Sequence, residues 1–508
     1  MDTGWRGRLE LLKRDAENKI LEPLRRHGWR VSIELEVEHG EHLVMSAERG
    51  GHRRKFALLY SSATDNTTYK ALQAQVDLIM TNGAFYKLES YAHGITTPIR
   101  MVDEFYAVLV EWNRETSDGK FAPGADADKI IDEEDDSDQQ YRLLLSEAPI
   151  EAVWLRLRQL HSVRLARKLI VDRATREGAT LGADQISCKA EGLAFTLRNA
   201  TDYYTAPQTK NVSQRILNLY YGTMAFAFAE LVSAPSGSST LAEIEEVTKQ
   251  GHGLYTFDGR TLDLPDIGVG AIRSGFLPYW LRFMGKDVNW LPTAKAKSLA
   301  AAEALPAQSW VTLENLLARI PEIADLYVDI FESPTLWLHP SHNAMANGNP
   351  LSFRAPVRAT RTYIILADVS RRMTKEDVAA FPGPISEIRR VASKGQRCFQ
   401  AAVDHEGLSS FWEALAIHRS PLGRTAFIKP LFRDVNEYRA ICFVLLYALS
   451  IIVRYRPSVW RRVQEGDLDH MRALIEAFLT VVERVLPEQF LASVTGSRIY
   501  AKQPGSFF

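Results

Sequence analysis

Three cysteines in 508 residues, Cys188, Cys398 and Cys442, leave no C-x-x-C pair to hold a metal or run dithiol chemistry. Scattered thiols of this kind suit a reducing compartment, and a cytoplasmic location is expected. Net charge is also nearly absent: 61 Lys and Arg against 62 Asp and Glu give −1. An anionic partner must therefore be held by a local basic patch, because the global field is close to zero. The N-terminal segment MDTGWRGRLELLKRDAENKI mixes charges with leucines and has no apolar stretch of the secretory kind. The longest apolar run, Ala440 to Val453, is shorter than the roughly 20 residues of a membrane span and reads as a buried helix. No Walker-type Gly-x4-Gly-Lys-Ser/Thr, Gly-x-Ser-x-Gly or His-Glu-x-x-His occurs, so nucleotide hydrolysis and the common serine and zinc hydrolases are not expected.

What is present is 46% hydrophobic and 24% charged residues, an ordinary globular balance with ample material for a core. The central stretch is Val212 to Val232, VSQRILNLYYGTMAFAFAELV, whose apolar residues cover every side of a helix drawn through them. A helix apolar all round must be buried all round. Asn218, Gly222, Thr223 and Glu230 interrupt it too often for a span. Ser187 to Tyr204 precedes it as a second helix, with Pro207 marking the break between them.

Before this core the chain divides. Gly7 to Arg26 has leucines among charges and predicts an amphipathic helix ending near Gly28. Three strands follow at Trp29–Glu38, Glu41–Ala47 and Arg54–Ser61, with turns at His39-Gly40 and Gly50-Gly51, and then a helix capped by Asp65-Asn66-Thr67 and running to about Thr81. From Thr116 to Gln140 the chain is Gly, Pro and acid-rich, the composition of a flexible linker. The organisation expected is α+β: an N-terminal α/β module at 1–115, an acidic linker at 116–140 and a mostly α-helical domain with minor β elements at 141–508. Ser352 to Val369 is the best strand candidate of the second half, and Val435–Arg456 and Leu468–Leu486 are its final helices.

Several motifs carry a resemblance. Tyr203-Tyr204, then RILNLYYGTMAFAFAELV, then His252-Gly253-Leu254, the segment LLARIPEI and the C-terminal RYRPSVW (Arg454 to Trp460) together resemble the YaaC-like family of bacterial proteins from about residue 150 to 495. The family brings no settled activity with it. The order helix, three strands, helix at the N-terminus resembles the core of restriction-endonuclease-like nucleases of the PD-(D/E)XK class. Such nucleases need a carboxylate two residues before the strand lysine to help hold a metal. Here Lys55 is preceded at that position by Arg53, which points to a degenerate version.

Candidate site residues fall into three groups. Cations that could meet phosphates are Arg53, Arg54 and Lys55 on the third strand, and Arg164, Arg167 and Lys168 on one face of a helix over Ile150–Glu177. Solvated surface charge is the simpler explanation of both clusters. Arg156 and His161 have the Arg-x4-6-His spacing of HEPN ribonucleases, and His252 can act as acid or base or simply fix a turn. His339 and His342 in LHPSHN lack a third ligand nearby, so no metal and no cofactor are expected. The resulting expectation is a non-catalytic recognition or scaffold protein, binding nucleic acid or a protein partner, with a bacterial defence or restriction-like system as its setting. The alternative is a nuclease, metal-dependent in the N-terminal module or HEPN-like in the helical domain. A homo-oligomer is compatible with either, and no membrane association is expected.

Overall fold

The computed structural model describes residues 4–36, 42–82, 88–116, 141–205, 211–261, 263–341, 361–381, 383–393, 396–406, 408, 414–415, 417–420 and 425–502. The chain forms two compact units, Met1–Asp138 and Gln139–Phe508. The stretch read as an acidic linker lies almost wholly outside the described residues, as does His342.

In the first unit, helix α1 (Gly4–Ala16) continues through a π turn, Glu17–Leu21, into Glu22–Arg26 and buries Leu12, Ile20 and Leu24. The expected antiparallel meander follows as β1 (Arg30–Glu36), β2 (His42–Arg49) and β3 (His52–Leu59). The helix expected to reach Thr81 does not. Helix α2 (Asn66–Gln73), capped by the Asp65 side chain on the Thr68 N–H, stops at Ala74, and Leu78–Thr81 is β4, parallel to β3. The Leu72, Val76 and Ile79 stripe fitted a helix by spacing, but Leu78-Ile79-Met80-Thr81 is a run buried on both faces, which suits a central strand. A fifth strand, β5 (Ile99–Met101), pairs parallel with β4, and α3 (Phe105–Thr116) packs Phe105 and Trp112 against Phe56. A bulge in β1 between Ile33 and Leu35 breaks the expected alternation and leaves both residues exposed.

The second unit is mostly helical. The single helix expected over Ile150–Glu177 is two, α4 (Pro149–Gln159) and α5 (Val163–Arg176), with His161 in the turn between them. Then come α6 (Ala183–Thr205), α7 (Val212–Ser233), α8 (Leu241–Lys249) and α9 (Phe276–Phe283). The central helix is α7. Phe226, fully enclosed, stacks on Phe490 at 5.0 Å and meets Tyr204 at 5.2 Å. Near the C-terminus stand α10 (Tyr438–Tyr455) and α11 (His470–Thr495). By length and composition α10 could cross a membrane, yet 72% of it is buried within the unit, and Tyr220 and Trp280 pack on its Phe443. Helix α11 continues past Leu486 through Pro487. An internal proline costs about 3 kcal/mol, and burial of Phe490, Leu491 and Val494 beyond it offsets that cost.

The β elements of this unit exceed the minor ones expected. The Ser352–Val369 candidate is described from Arg361 and is a strand over Arg361–Ala367. It sits inside a six-stranded sheet with Trp337–Ser341, Ile385–Ser393, Gln396–Asp404, His418–Arg419 and Thr425–Ile428. Leu254–Phe257, Gly268–Ala271 and Trp310–Thr312 make a three-stranded sheet, and Tyr141–Leu145 pairs parallel with Arg498–Lys502.

Glu488, in α11, is mostly buried with one carboxylate oxygen unpartnered, and burial pushes its pKa up to about 7 against a backbone hydrogen bond from Ala501. Between pH 4.5 and 7 the folded state then holds a proton that the unfolded state has lost, so stability falls as pH rises, by roughly 3 kcal/mol at 1.36 kcal/mol per pH unit. Glu488→Gln should abolish that decline and raise the melting temperature at pH 8. A variant that melts in parallel with the parent from pH 4.5 to 8 would show that the carboxylate reaches water.

Candidate functional site

The two expected cationic clusters have different surroundings. On the first unit's sheet, Glu34 on β1 accepts from Arg53 and lies 2.8 Å from Lys55 Nζ across β2. Lys55, Ser46 and Arg53 together hold the Glu34 carboxyl down at about 2. Both cations are therefore already neutralised in part, and Arg54 also has an interaction. On α5, by contrast, Arg164, Arg167 and Lys168 are exposed and have no ion-pair partner among the described residues, while Ala166, Ile170 and Ala174 face the core. Val163, Leu165 and Val171 are exposed beside them, so the outward face mixes cations with apolar groups.

Arg156 and His161 are not brought together as an acid–base pair. Arg156 bonds Gln159 on its own helix, and His161 Nε2 meets Thr201 Oγ1 at 3.1 Å. Burial and the Arg198 charge lower the His161 pKa, and the same arginine donates to the His161 carbonyl. The imidazole thus ties the α4–α5 turn to α6. His339 Nδ1 is occupied by the Thr425 carbonyl at 2.9 Å. Among the described residues no three His, Cys, Asp or Glu side chains gather as metal ligands.

His252, by contrast, lies where residues of the family motifs converge. Tyr220 and Tyr221 on α7, His252 after α8 and Arg454 at the end of α10 meet in one place. The Tyr220 hydroxyl and His252 Nδ1 are 2.9 Å apart, and Tyr447 packs on the imidazole at 5.7 Å. Burial, Arg454 and Lys295 lower the His252 pKa, so the ring is neutral at pH 7. Arg454 donates from Nε to the Ser450 carbonyl at 3.1 Å and from a terminal nitrogen to the Tyr221 hydroxyl at 3.3 Å, with no carboxylate partner among the described residues. The turn that carries His252 is set by Gly253, whose φ is +75° and where an added Cβ would come 2.3 Å from Pro278 Cδ. Only glycine fits there. Arg456 pairs with Asp258, and the Trp460 indole N–H donates to Ser213 Oγ at 2.7 Å, so RYRPSVW staples the end of α10 to the start of α7.

A family profile described as YaaC-like Protein matches residues 158–494. The chain belongs to the YaaC-like family. The matched span contains Tyr220, Tyr221, His252 and Arg454, the residues on which the resemblance was read, and thus the whole converged YaaC-like cluster. Neither the curated proteins nor the solved structures give a significant match.

Two buried polar groups of the YaaC-like unit were given no role in the sequence reading. Lys189 is fully buried in α6, and its ammonium is ringed by carbonyl oxygens of Ala234 and Ser238 at 2.9 Å, Gly237 at 3.1 Å and Val232 at 3.4 Å. Burial pushes its pKa down to about 8, with Glu243 opposing and Arg173 adding to the fall. Glu322, from LLARIPEI, accepts from Tyr438 Oη at 2.7 Å and His418 Nε2 at 3.0 Å, and the imidazole stacks on Tyr438 at 3.9 Å. The His418 side chain is 2% exposed, so this arrangement holds the sheet to the helices and presents no acid or base to a substrate.

Proposed function

We propose that this YaaC-like chain is a non-catalytic recognition protein that binds nucleic acid, with α5 as its phosphate-facing element. The observation carrying this reading is the set of three adjacent exposed cations, Arg164, Arg167 and Lys168, that no carboxylate among the described residues neutralises. Each phosphate neutralised on a duplex contributes about 0.9 to the slope of log K against log salt. Replacing the three with glutamine should therefore flatten the slope for a DNA duplex by close to 3, measured by fluorescence anisotropy. The pair Arg53→Gln and Arg54→Gln should flatten it less, because Glu34 already shares Arg53. Unchanged affinity and slope in the α5 variant would overturn the nucleic-acid reading in favour of a protein partner or a second copy on the exposed Leu165 and Val171. A place in a bacterial defence or restriction-like system belongs to the same proposal. It is supported by the order helix, antiparallel meander, helix and parallel strand in the first unit. Cleavage of the bound DNA or RNA in Mg²⁺ or in EDTA would replace recognition with the nuclease alternative.

A further inference from the structure

A cavity of about 210 Å³ opens between α6, α7 and α8, walled by Phe195, Tyr203, Tyr221, Met224 and Phe228, with Asn199 and Glu245 at its polar edge. Tyr203 and Tyr221 stand stacked at 5.9 Å on one wall. An apolar cavity of roughly 150 Å³ admits benzene, so this one has room for a single ring with a substituent.

The cavity does not end in neutral surroundings. Tyr221 is shared: its ring lines the cavity and its hydroxyl receives a hydrogen bond from Arg454. Among the described residues the half-buried Arg454 guanidinium is otherwise held by Ser450, through its carbonyl and its hydroxyl, and it lies over the Tyr455 ring at 5.1 Å. A partly desolvated cation without an anion is costly to maintain, and a bound anion removes that cost. His252 meets the same aromatic group, its ring against Tyr220, which in turn packs on Tyr221. His252 has Nδ1 engaged by Tyr220, which leaves Nε2 without a partner among the described residues. Helix α8, which walls the cavity through Leu241, Ile244 and Glu245, leads directly into the turn bearing His252. The cavity is therefore joined to Arg454 through Tyr221 on α7 and to His252 along α8.

We propose that the cavity and the Arg454 cluster form one binding site for a small amphiphilic anion, its ring-sized apolar body against Tyr203, Tyr221 and Phe228 and its carboxylate or phosphate held by Arg454 and His252 Nε2. A cavity with the volume of one substituted ring and a single cation beside it select a small molecule over a polymer. The site is separate from the α5 face, so the Arg164, Arg167 and Lys168 variant should bind such a ligand as the parent does.

The test is calorimetric titration of the full chain with phenylacetate, phenyl phosphate, benzyl alcohol and inorganic phosphate, each to about 10 mM, ten times the roughly 1 mM of a weak fragment. One or both aromatic anions should bind saturably and at least tenfold more tightly than benzyl alcohol or inorganic phosphate, and the better of the two identifies the acidic group. Arg454→Gln should weaken that anion at least tenfold and leave benzyl alcohol unchanged. Met224→Trp, which fills the cavity from a half-buried position, should remove binding of both, with an unchanged melting temperature showing that each variant is folded. Equal affinity for phenylacetate, phenyl phosphate and benzyl alcohol, an Arg454→Gln protein that binds as the parent, or no saturable binding by any of the four overturns the proposal.

Discussion

Lys189→Met is expected to destabilise the helical unit by roughly 4–8 kcal/mol, because several buried carbonyls lose their donor at about 1–3 kcal/mol each. The ammonium sits where α7 ends, and the last carbonyls of a helix have no intrahelical partner. Val232 and Ala234 supply two of the acceptors, and Gly237 and Ser238 in the following loop supply the others. A cation at that position also opposes the negative end of the helix dipole. With a pKa of about 8 the amine remains mostly protonated at neutral pH. Methionine keeps much of the length and apolar stem of lysine, so the loss reports the charge and its hydrogen bonds and not a cavity. Denaturant titration of the second unit's own transition is the measurement. A difference below about 1 kcal/mol would mean that water replaces the ammonium, which a fully buried nitrogen does not permit without opening the 234–238 loop.

Glu230→Ala should cost roughly 4–6 kcal/mol. The Glu230 side chain is 4% exposed and accepts from Arg439 at 2.6 and 3.0 Å in a two-pronged pair, and from the Trp280 indole at 3.0 Å. Breaking a buried ion pair from one side costs about 3–5 kcal/mol through the charge left behind, and the orphaned indole N–H adds about 1 kcal/mol or more. Burial opposes the Arg439 charge, but Glu230 outweighs it and raises the arginine pKa. The triad links α7, α9 and α10, so its loss should also weaken the cooperativity of unfolding. Replacing both partners with apolar residues, Glu230→Leu with Arg439→Met, should recover more than half of the loss, since neither charge is then stranded. A double variant no better than Glu230→Ala would assign the effect to packing around Trp280.

Glu230 shows how far the sequence could be read. In VSQRILNLYYGTMAFAFAELV it looked like an interruption that argued against a membrane span, and that inference needed only its charge. Its partners lie 50 and 209 positions away, a separation at which no local pattern carries information. The helical pair around residue 207 and the antiparallel meander were legible because periods of 3.6 and 2 are written within a few residues. The helix expected through Thr81 was misread for the same reason: short apolar runs fit both periods, and burial on both faces of Leu78–Thr81 decided between them.

The converged site divides along the same line. Its members stood out individually, His252 and Arg454 through the family motifs and Tyr203 and Tyr221 as aromatics, but nothing in the sequence connected them. Arg53 and Lys55 are the converse case, prominent as a basic cluster until Glu34, opposite them on the meander, engaged both. By itself the sequence determined the family, the α+β division and the buried character of α7, all properties of composition and short-range period. Only the tertiary structure decided which cations stay unpaired, where Lys189 finds its carbonyls and that Tyr221 joins a cavity to Arg454. Those outcomes depend on pairings 19 to 233 positions apart, where geometry and desolvation choose the partner and chain neighbours do not.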